Sequence, residues 1–365
     1  MNVLYLINHA GYAGSERYVL TLAQNLAGRA RLFFVYNEYG PLADRISPYC
    51  EKTERITMKC PFDPAAVRRL IKFISNNDID IVHAQYPREN YLAILASLFC
   101  KRVKIVYTAH WNRRDTFIRT LANRLMTRAD AAALAVGAAC AELMKKNGYP
   151  ASRISVIYPG TKIPPEEKRE RGGRTLPSDI VTPRGAFVFA CLARLSEEKG
   201  LRFLLESAAA LKRTSPGAPF CVLIAGDGEQ RAELEALRLA SGLQNEIILL
   251  GQRDDCPDIL SGAGAYVSPS REESFGFGVV EALAHSLPVI TTGANGSADI
   301  TGGGTDVGIR VAYGDSAALA GAMAEMMKRD EKYALRAANA RLLAKTRFSE
   351  NAFASAVYEI YQSVI

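Results

Sequence analysis

Short runs rich in β-branched and aromatic residues alternate with longer helical stretches along almost all of the 365 residues. Such alternation is typical of βαβ units, in which parallel strands are joined by right-handed helical crossovers. Eleven runs are predicted as strands, at residues 3–7, 32–36, 79–83, 103–108, 154–157, 187–192, 220–225, 246–250, 265–268, 288–291 and 308–311. The sequence therefore predicts an α/β protein built from doubly wound parallel sheets.

The alternation is broken once, at residues 162–185, where proline, glycine and charged residues follow one another without an apolar period. A segment of this kind is typical of a linker or an exposed junction loop, and the chain is long enough for a domain on each side of it. The predicted bounds are residues 1–165 for the first domain, 166–185 for the linker, 186–346 for the second domain and 347–365 for a terminal helix. Ser349 is the predicted N-cap of that helix. Phe353, Val357, Ile360 and Val364 would form one apolar helix face, which must pack on another surface of the protein.

The two halves of the chain differ in charge. Residues 1–160 carry 22 lysines and arginines against 12 acids, whereas residues 161–365 carry 23 against 26. The basic excess is concentrated in Lys101 to Arg128, where eight basic residues accompany a single acid, Asp115. This segment is expected to attract an anionic partner. A helix within it, with Phe117, Leu121 and Leu125 on one face, would either lie on an anionic membrane or pack on its own domain with its charged face in solvent.

Several classes of protein are disfavoured. The basic pI of 9.0 suggests nucleic-acid binding, but no nucleic-acid-binding motif is present and the acidic second half would repel a long duplex. Seven cysteines without a Cys-x-x-Cys pair indicate buried free thiols rather than structural zinc. The apolar start, Met1 to Ile7, is too short for a signal peptide, and the longest apolar stretches fall short of the ~20 residues that span a bilayer. We expect a cytoplasmic protein, with peripheral contact at the inner face of the membrane left open.

Loops that follow strands are candidate sites because ligands of doubly wound sheets bind beyond the carboxyl ends of the strands. After the first strand, Gly11 and Gly14 allow a tight turn into a helix, which would either hold a phosphate or serve only as a structural turn. Later, Gly226 and Gly228 begin a dinucleotide-like pattern, but Arg231 stands where a third glycine belongs, so a dehydrogenase is disfavoured.

An Asp-x-Asp pair at Asp78 and Asp80 has the form of a metal-binding motif. It precedes its strand instead of following it, so its carboxylates should lie at the sheet edge away from the ligands. We expect no metal there.

The most informative pattern lies in the second half. Arg194 and Lys199 stand five residues apart after one strand, and Glu273 and Glu281 follow another, with Gly276 and Gly278 between them. Two cations and the amino-terminal end of a helix near Gly278 would suit a pyrophosphate, and carboxylates accept hydrogen bonds from sugar hydroxyls. Surface ion pairs, such as Lys199 with Glu197 or Glu198, are the alternative interpretation. Because both patterns follow strands of one domain, together they favour a nucleotide-sugar site.

These motifs resemble those of the retaining glycosyltransferases of family four, which have the GT-B fold. The resemblance rests on Arg194-x4-Lys199-Gly200, on Glu273-x7-Glu281 with Ser-Phe-Gly-Phe-Gly after the first glutamate, and on the glycine-bearing first loop. Supporting segments are residues 80–83, 108–110, 153–160 and 314–315. The resemblance implies two Rossmann-like domains facing across a cleft and a terminal helix that crosses back to the first domain.

The resemblance also implies roles for particular residues. Arg194 and Lys199 would neutralise the diphosphate leaving group, Glu281 would hold the ribose, and Glu273 would contact the transferred sugar. Gly276 and Gly278 would belong to the donor site. In the first domain, His110 would contact the sugar near the reacting carbon, and Gly14 would lie beside the phosphates. The chain departs from the family pattern in reading Ala-Gly-Ser-Glu at 13–16 and Pro-Gly at 159–160.

The implied reaction is transfer of a hexose or N-acetylhexosamine, with retention, from a nucleoside diphosphate sugar to a glycan or lipid-pyrophosphate-linked acceptor. No cofactor and no obligatory metal are expected, and synthesis of a cell-surface polysaccharide or glycoconjugate is the expected setting. A UDP-sugar is favoured as donor and GDP-mannose stays open. A sugar-nucleotide epimerase or a non-catalytic sugar-nucleotide-binding protein on the same fold is the alternative.

Overall fold

The computed structural model describes residues 1–11, 13–110, 113–165 and 176–365. The chain divides into two compact units. The first comprises Met1–Gly160 together with Glu350–Ile365, and the second comprises Thr161–Ser349. The first unit therefore ends five residues earlier than the first domain predicted at 1–165, and the last sixteen residues belong to it.

The first unit contains a seven-stranded parallel sheet in the order β3-β2-β1-β4-β5-β6-β7. Its strands are β1 (Asn2–His9), β2 (Arg31–Glu38), β3 (Lys52–Arg55), β4 (Ile81–Ala84), β5 (Lys104–Ala109), β6 (Ala132–Ala135) and β7 (Ile154–Val156). Its helices are α1 (Gly14–Leu26), α2 (Pro41–Ile46), α3 (Pro64–Asn76), α4 (Pro87–Ser97), α5 (Phe117–Met126) and α6 (Ala138–Lys146).

The second unit contains a six-stranded parallel sheet in the order β10-β9-β8-β11-β12-β13. Its strands are β8 (Phe187–Leu192), β9 (Phe220–Ala225), β10 (Ile247–Gly251), β11 (Ala265–Ser268), β12 (Val289–Thr291) and β13 (Gly308–Arg310). Its helices are α7 (Leu201–Thr214), α8 (Arg231–Ala240), α9 (Cys256–Gly262), α10 (Phe277–Ala284), α11 (Asn295–Thr301), α12 (Ser316–Met327) and α13 (Glu331–Arg347), and the terminal helix α14 (Glu350–Val364) belongs to the first unit.

Both sheets follow the doubly wound order in which the first strand of the unit lies between the second and the fourth. The strand order reverses at β1 in the first unit and at β8 in the second. In such sheets the crevice at the point of reversal is where ligands bind. The predicted α/β class with two doubly wound sheets is confirmed.

The central strands are buried on both faces, as parallel strands covered by helices must be. Val3 to Ile7 of β1 are wholly inaccessible to solvent, and Phe189 in β8 is equally buried. Helix α3 shows how the covering elements form. The Asp63 side chain caps it by accepting hydrogen bonds from two backbone N–H groups of its first turn, and its apolar residues repeat at helical spacing to face the sheet.

Two strands were not predicted from the sequence. Strand β3 has the sequence Lys-Thr-Glu-Arg and lies at the edge of its sheet, half exposed, where a polar strand is tolerated. Strand β6 has the sequence Ala-Ala-Leu-Ala and is completely buried. Alanine has low strand propensity, so only its place between β5 and β7 makes this segment a strand.

The predicted linker needs correction where the structure describes it. Residues 176–185 belong to the second unit, where Ile180 is buried and the Asp179 carboxylate accepts hydrogen bonds from the Arg253 guanidinium at 2.5 and 3.1 Å. Leu176 packs against Gly262 of α9. Because these residues are held by packing and by ion pairs, they are a structural part of that unit. The remaining predicted linker residues, 166–175, lie outside the described residues.

Helix α14 packs on the first unit through Phe353, Val357 and Tyr361, all of which are buried. The predicted face contained Ile360 and Val364 in place of Tyr361, and these two residues are only half-buried. The cysteine prediction also needs correction, since only Cys140, Cys191 and Cys221 are buried and Cys60 is exposed; all seven are free thiols. Within the described part of the chain, no helix has the length and apolar character needed to cross a membrane.

Candidate active site

Two loops meet at the carboxyl edge of the second sheet, where the strand order reverses. One follows β8 and carries Arg194 and Lys199, and the other follows β11 and carries Glu273. The backbone N–H of Arg271 donates to the carbonyl oxygen of Glu198 at 2.8 Å and so ties the loops together. Gly200 allows this approach, because a Cβ there would lie 2.2 Å from the carbonyl oxygen of Pro269 and its φ of 65° suits glycine.

Lys199 and Glu273 form an ion pair between the two loops. The Lys199 Nζ lies 2.8 Å from Glu273 Oε2, and the side chains are only 21% and 17% exposed. The Ser270 hydroxyl donates to the same carboxylate oxygen at 3.4 Å. The alternative interpretation of Lys199 as a partner of Glu197 or Glu198 is therefore wrong, and the structure brings together one predicted cation and one predicted carboxylate.

Arg194 has a different partner. Its Nη2 donates to Glu198 Oε1 at 2.6 Å, and the Ser196 hydroxyl donates to the same oxygen at 2.7 Å. Burial alone would raise the pKa of Glu198, but these hydrogen bonds outweigh it and lower the pKa to about 2. The Arg194 side chain is nevertheless 67% exposed. Its guanidinium is thus held near the sheet edge while staying accessible to an anion.

The start of α10 carries the two predicted glycines. Gly276 is its N-cap with a φ of 101°, and its carbonyl oxygen accepts the N–H groups of Val279 and Val280. Gly278 faces the strand layer, because a Cβ there would lie 2.1 Å from the Tyr266 hydroxyl, which donates to the carbonyl oxygen of Leu192 at 3.2 Å. Gly278 therefore allows the helix to start close against the strands.

Glu281 lies on α10 shortly after these glycines and is half-buried. It is thus on the helix that follows the Glu273 loop, as the sequence pattern predicted. Its role toward a ribose stays a prediction.

In the first unit, His110 lies directly after β5. Its Nε2 is 2.8 Å from Gln85 Oε1, and the Tyr18 ring meets its ring edge-on at a centroid distance of 4.9 Å. Burial lowers the pKa of His110 to about 3, so the imidazole is neutral at physiological pH.

Gly14 is the first residue of α1. Next to it, the buried Ser15 hydroxyl lies 2.7 Å from Glu16 Oε2 and 2.6 Å from the Tyr86 hydroxyl. These bonds hold the start of α1 against the segment that follows β4. Tyr12, in the same loop, lies outside the described residues.

A buried polar chain lies behind His110. His83 Nδ1 is 2.5 Å from the Tyr361 hydroxyl of α14, and its Nε2 is 2.7 Å from Thr108 Oγ1, which is 3.2 Å from the Tyr18 hydroxyl. Burial, with a smaller contribution from His110, lowers the pKa of His83 to about 3. The chain connects the terminal helix to the strands that carry the candidate site.

The weaker patterns have structural explanations. Asp80 Oδ2 accepts the backbone N–H of Asn2 at the start of β1, so it lies at the opposite edge of the sheet, as expected from its position before β4. A Cβ on Gly226 would lie 1.9 Å from the carbonyl oxygen of Ala193, so this glycine serves the packing of neighbouring loops. Among the residues that the structure describes, no group of three or more His, Cys, Asp or Glu side chains could hold a metal ion.

Comparison with known proteins identifies the family. Residues 12–163 match the profile of Glycosyltransferase Family 4, and residues 186–329 match that of Glycosyl transferases group 1. The chain is 30% identical over 294 residues to the lipopolysaccharide core biosynthesis mannosyltransferase LpsB of Rhizobium meliloti, covering 78% of this chain and 79% of LpsB.

The chain belongs to the family-four, group 1 glycosyltransferases.

Two further likenesses extend over most of this glycosyltransferase. It is 27% identical over 308 residues to the D-inositol 3-phosphate glycosyltransferase of Corynebacterium urealyticum, covering 78% of this chain and 72% of the relative. Its fold matches that of HepE of Anabaena, solved in complex with UDP, over the whole of both chains, with a TM-score of 0.85 and 22% identity. A second HepE structure, in complex with UDP-glucose, also matches over both whole chains, with a TM-score of 0.82 and 22% identity. The fold class is that of the GT-B glycosyltransferases.

In this glycosyltransferase, three residues that contact the predicted site residues were not predicted from the sequence, one in the second unit and two in the first. Glu198 was considered only as a partner of Lys199, although its spacing of four from Arg194 was visible in the sequence. Gln85 and Tyr18 are part of no recognisable motif. They contact His110 only because the fold brings the end of β4 and helix α1 next to it.

Proposed function

We propose that this glycosyltransferase moves a hexose or N-acetylhexosamine, with retention of configuration, from a UDP-sugar to a glycan or lipid-linked acceptor in cell-surface polysaccharide or glycoconjugate synthesis. The observation that carries the proposal is the meeting of Arg194, Lys199 and Glu273 on two joined loops at the reversal of strand order in the second unit.

Cleavage of the sugar–phosphate bond places negative charge on the departing diphosphate. Lys199 and Arg194 are two cations at one sheet edge that can take up this charge, each exchanging a carboxylate partner for a phosphate oxygen. One preorganised donor of this kind is worth roughly 3–4 kcal/mol in the transition state. We therefore propose a reaction that requires no metal, with the two side chains as the counter-charges.

The carboxylates would bind the sugar parts of the donor. When Lys199 turns to phosphate, Glu273 is released to accept hydrogen bonds from hydroxyls of the transferred sugar. Glu281, on the following helix, would hold the ribose, and the start of α10 at Gly276 and Gly278 would direct N–H groups at the phosphates. In the first unit, His110 would contact the transferred sugar and Gly14 the phosphates.

The choice of UDP is supported by HepE, which was solved with UDP and with UDP-glucose. A panel of UDP, GDP and their sugars tests it by the rise in melting temperature, since a ligand at 100 times its Kd stabilises the folded state by about 2.7 kcal/mol. We expect UDP and one UDP-sugar to give the largest shifts, and the Arg194→Ala/Lys199→Ala variant to lose them. A larger shift with GDP-mannose would overturn the choice of base.

The reaction is tested with the best-binding donor. Incubation with donor alone and then with lipid-linked acceptors, followed by NMR of the product anomer, should show an unchanged donor in the first case and a product of the same anomeric configuration in the second. Interconversion of the donor without an acceptor would indicate an epimerase instead. Binding without any conversion would indicate a sugar-nucleotide-binding protein.

A membrane-facing role for α5 is the second part of the proposal. Phe117 and Ile118 are 82% and 78% exposed, and Leu121 and Leu125 are exposed on the same helix. Leu98 and Phe99, after α4, are exposed as well. The structure thus contradicts the alternative in which Phe117, Leu121 and Leu125 pack on their own domain. The helix contacts the domain through Ala122, Asn123 and Met126 instead.

Arg113, Arg114, Arg119 and Arg124 of the basic segment are exposed as well, and a surface that carries both cations and apolar side chains is complementary to an anionic membrane. Each cation near such a membrane contributes about 1 kcal/mol, and buried apolar side chains add to it. We propose that α5 and residues 98–102 lie on the membrane that carries a lipid-linked acceptor. The position of α5 within the basic segment Lys101 to Arg128 supports this.

Vesicle sedimentation tests the surface. The protein should sediment with phosphatidylglycerol vesicles and not with phosphatidylcholine vesicles, and Phe117→Ser/Leu121→Ser should reduce recovery at least tenfold. Leu239→Ser, at another exposed leucine on α8, is the matched control and should leave recovery unchanged. Equal recovery with both lipids, or an equal loss in the control, would contradict the proposal.

A further inference from the structure

Gln85 is the residue that faces His110 across two neighbouring strands. It follows β4 directly, is completely buried, and its backbone N–H donates to the carbonyl oxygen of Leu6 in β1 at 3.1 Å. Its position is therefore fixed by the sheet. The side-chain amide has two contacts: Nε2 donates to the carbonyl oxygen of His83 at 3.3 Å, and Oε1 lies 2.8 Å from His110 Nε2.

These contacts determine which ring nitrogen of His110 carries the proton. A backbone carbonyl oxygen has only lone pairs, so the amide must present its NH2 group to His83 and its oxygen to His110. An amide oxygen is an acceptor, so His110 Nε2 must be protonated. In a neutral imidazole the lone pair is then on Nδ1.

The chemistry of the partner also determines the charge of the ring. A carboxylate facing an imidazole stabilises the imidazolium, whereas an amide oxygen carries no charge and leaves the neutral ring favoured. Among the described residues, Tyr18 meets the His110 ring edge-on, the Tyr86 ring is 6.1 Å away, and the buried His83 is close enough to interact with it electrostatically. Burial acts in the same direction by lowering the pKa of His110.

We propose that Gln85 is a positioning residue that holds His110 in the Nε2-protonated, neutral form, so that Nδ1 is the acceptor for a hydroxyl of the transferred sugar. The part concerning the sugar rests on the proposed function. Because Nε2–H is already used by Gln85, only Nδ1 can serve the substrate, and it does so by accepting an O–H.

Two variants separate positioning from simple packing. In Gln85→Leu the hydrogen-bond acceptor for His110 is lost. ¹⁵N NMR of the histidine ring nitrogens in the full chain should show only the Nε2-protonated form of His110 in the native protein and a mixture of tautomers in the variant. Its kcat should fall roughly tenfold at every pH, the worth of one net hydrogen bond, with little change in KM for the donor.

In Gln85→Glu the acceptor is kept and a charge is added. His110 should then protonate at a higher pH, and kcat should gain an ascending limb, low where His110 is cationic and rescued above its new pKa. Gln362→Glu adds the same charge at an exposed position of α14 and is the matched control, with the native profile expected.

The NMR spectrum tests the tautomer of His110, and the kinetics test the role of its Nδ1 toward the sugar. An Nδ1-protonated His110 in the native protein, or an unchanged spectrum in Gln85→Leu, would overturn the positioning role whatever the activity. The expected spectra with native kcat in both variants would overturn the role of His110 Nδ1 toward the sugar and leave the tautomer assignment standing. If Gln85→Leu fails to fold, the Gln85→Glu titration decides, since a His110 that stays neutral beside the carboxylate would contradict the proposal.

Discussion

The carboxyl edges of the two sheets share one strand order and differ in chemistry. In the second unit the edge carries ion pairs whose members are reachable from solvent, such as Arg194 with Glu198 and Lys199 with Glu273. In the first unit the contacts of His110 are a neutral amide and aromatic rings, with His83 and Gln85 completely buried. Two sheets of the same strand order thus carry different chemistry, which the side chains at the strand ends determine.

The difference fits the roles that we propose for the two edges. Cations that take up the charge of a leaving group must be able to change partners, which the exposed Arg194 and the partly exposed Lys199 allow. A neutral imidazole that accepts a sugar hydroxyl needs the opposite, because burial and a fixed partner keep its proton in one place. Under the proposed function, the edge of the second unit would supply charge and that of the first unit would hold a neutral histidine in a fixed orientation.

The largest effect is expected for loss of a cation in the second unit. Lys199→Met should lower kcat by about 10²–10³-fold, because one preorganised donor to the leaving group is lost. The free energy of unfolding should fall by only about 1–2 kcal/mol, since the ion pair with Glu273 is partly exposed. Steady-state kinetics and urea unfolding measure the two effects.

Arg202→Met is the matched control for this variant. Arg202 pairs with Glu206 and Glu233 on the helices of the same unit, at 3.3 and 3.2 Å, and is 63% exposed. Its kcat should be native. Full activity of folded Lys199→Met, or an equal loss in Arg202→Met, would remove the charge-supplying role from this edge.

The next largest effect is expected where the two loops of the second unit approach each other at Gly200. Gly200→Ala should lower the free energy of unfolding by about 3 kcal/mol and raise KM for the donor, because its Cβ would push the Pro269 loop away from Lys199. Gly314→Ala also has a positive φ, of 87°, but enters open space, and should cost about 1 kcal/mol. Equal costs at the two positions would show that backbone strain, and not the approach of the loops, is what Gly200 relieves.

The smallest effect concerns the buried histidine of the first unit. Because the pKa of His83 is lowered to about 3, the unfolded chain binds a proton near pH 6.5 that the folded protein does not. This difference does not affect the free energy of unfolding above pH 6.5. Between pH 6.5 and pH 3 it lowers that free energy as the pH falls, by at most about 1.4 kcal/mol per pH unit. Burial raises the pKa of Asp130, which acts in the opposite direction, so a variant is needed to isolate His83.

His83→Gln provides that comparison. The native protein should be the more stable at pH 7, and its advantage over His83→Gln in urea unfolding should shrink as the pH falls from 6.5 to 4.5. A constant difference across this range would show that His83 is not kept neutral by burial, and the contrast between the two edges would lose its main support.

The sequence predicted most of the fold and the loops that carry the candidate residues, but not the ion pairs and hydrogen bonds that those residues form. Strands such as Phe187–Leu192 and Phe220–Ala225 are long enough and apolar enough to be placed to the residue. The alanine-rich β6 was missed because its residues favour helices in isolation. Arg194 and Lys199 were recognised by their spacing, but Lys199 was not predicted to pair with Glu273.

By itself, the sequence determined the doubly wound class, the order of the elements and the loops that carry the charged motifs, because hydrophobic period and motif spacing are local properties of the chain. Only the tertiary structure decided that Lys199 pairs with Glu273, 74 residues away, and that Gln85 faces His110. The reason is that strand order brings distant loops to one sheet edge. A partner across such an edge is chosen by the geometry of the sheet, which no local pattern records.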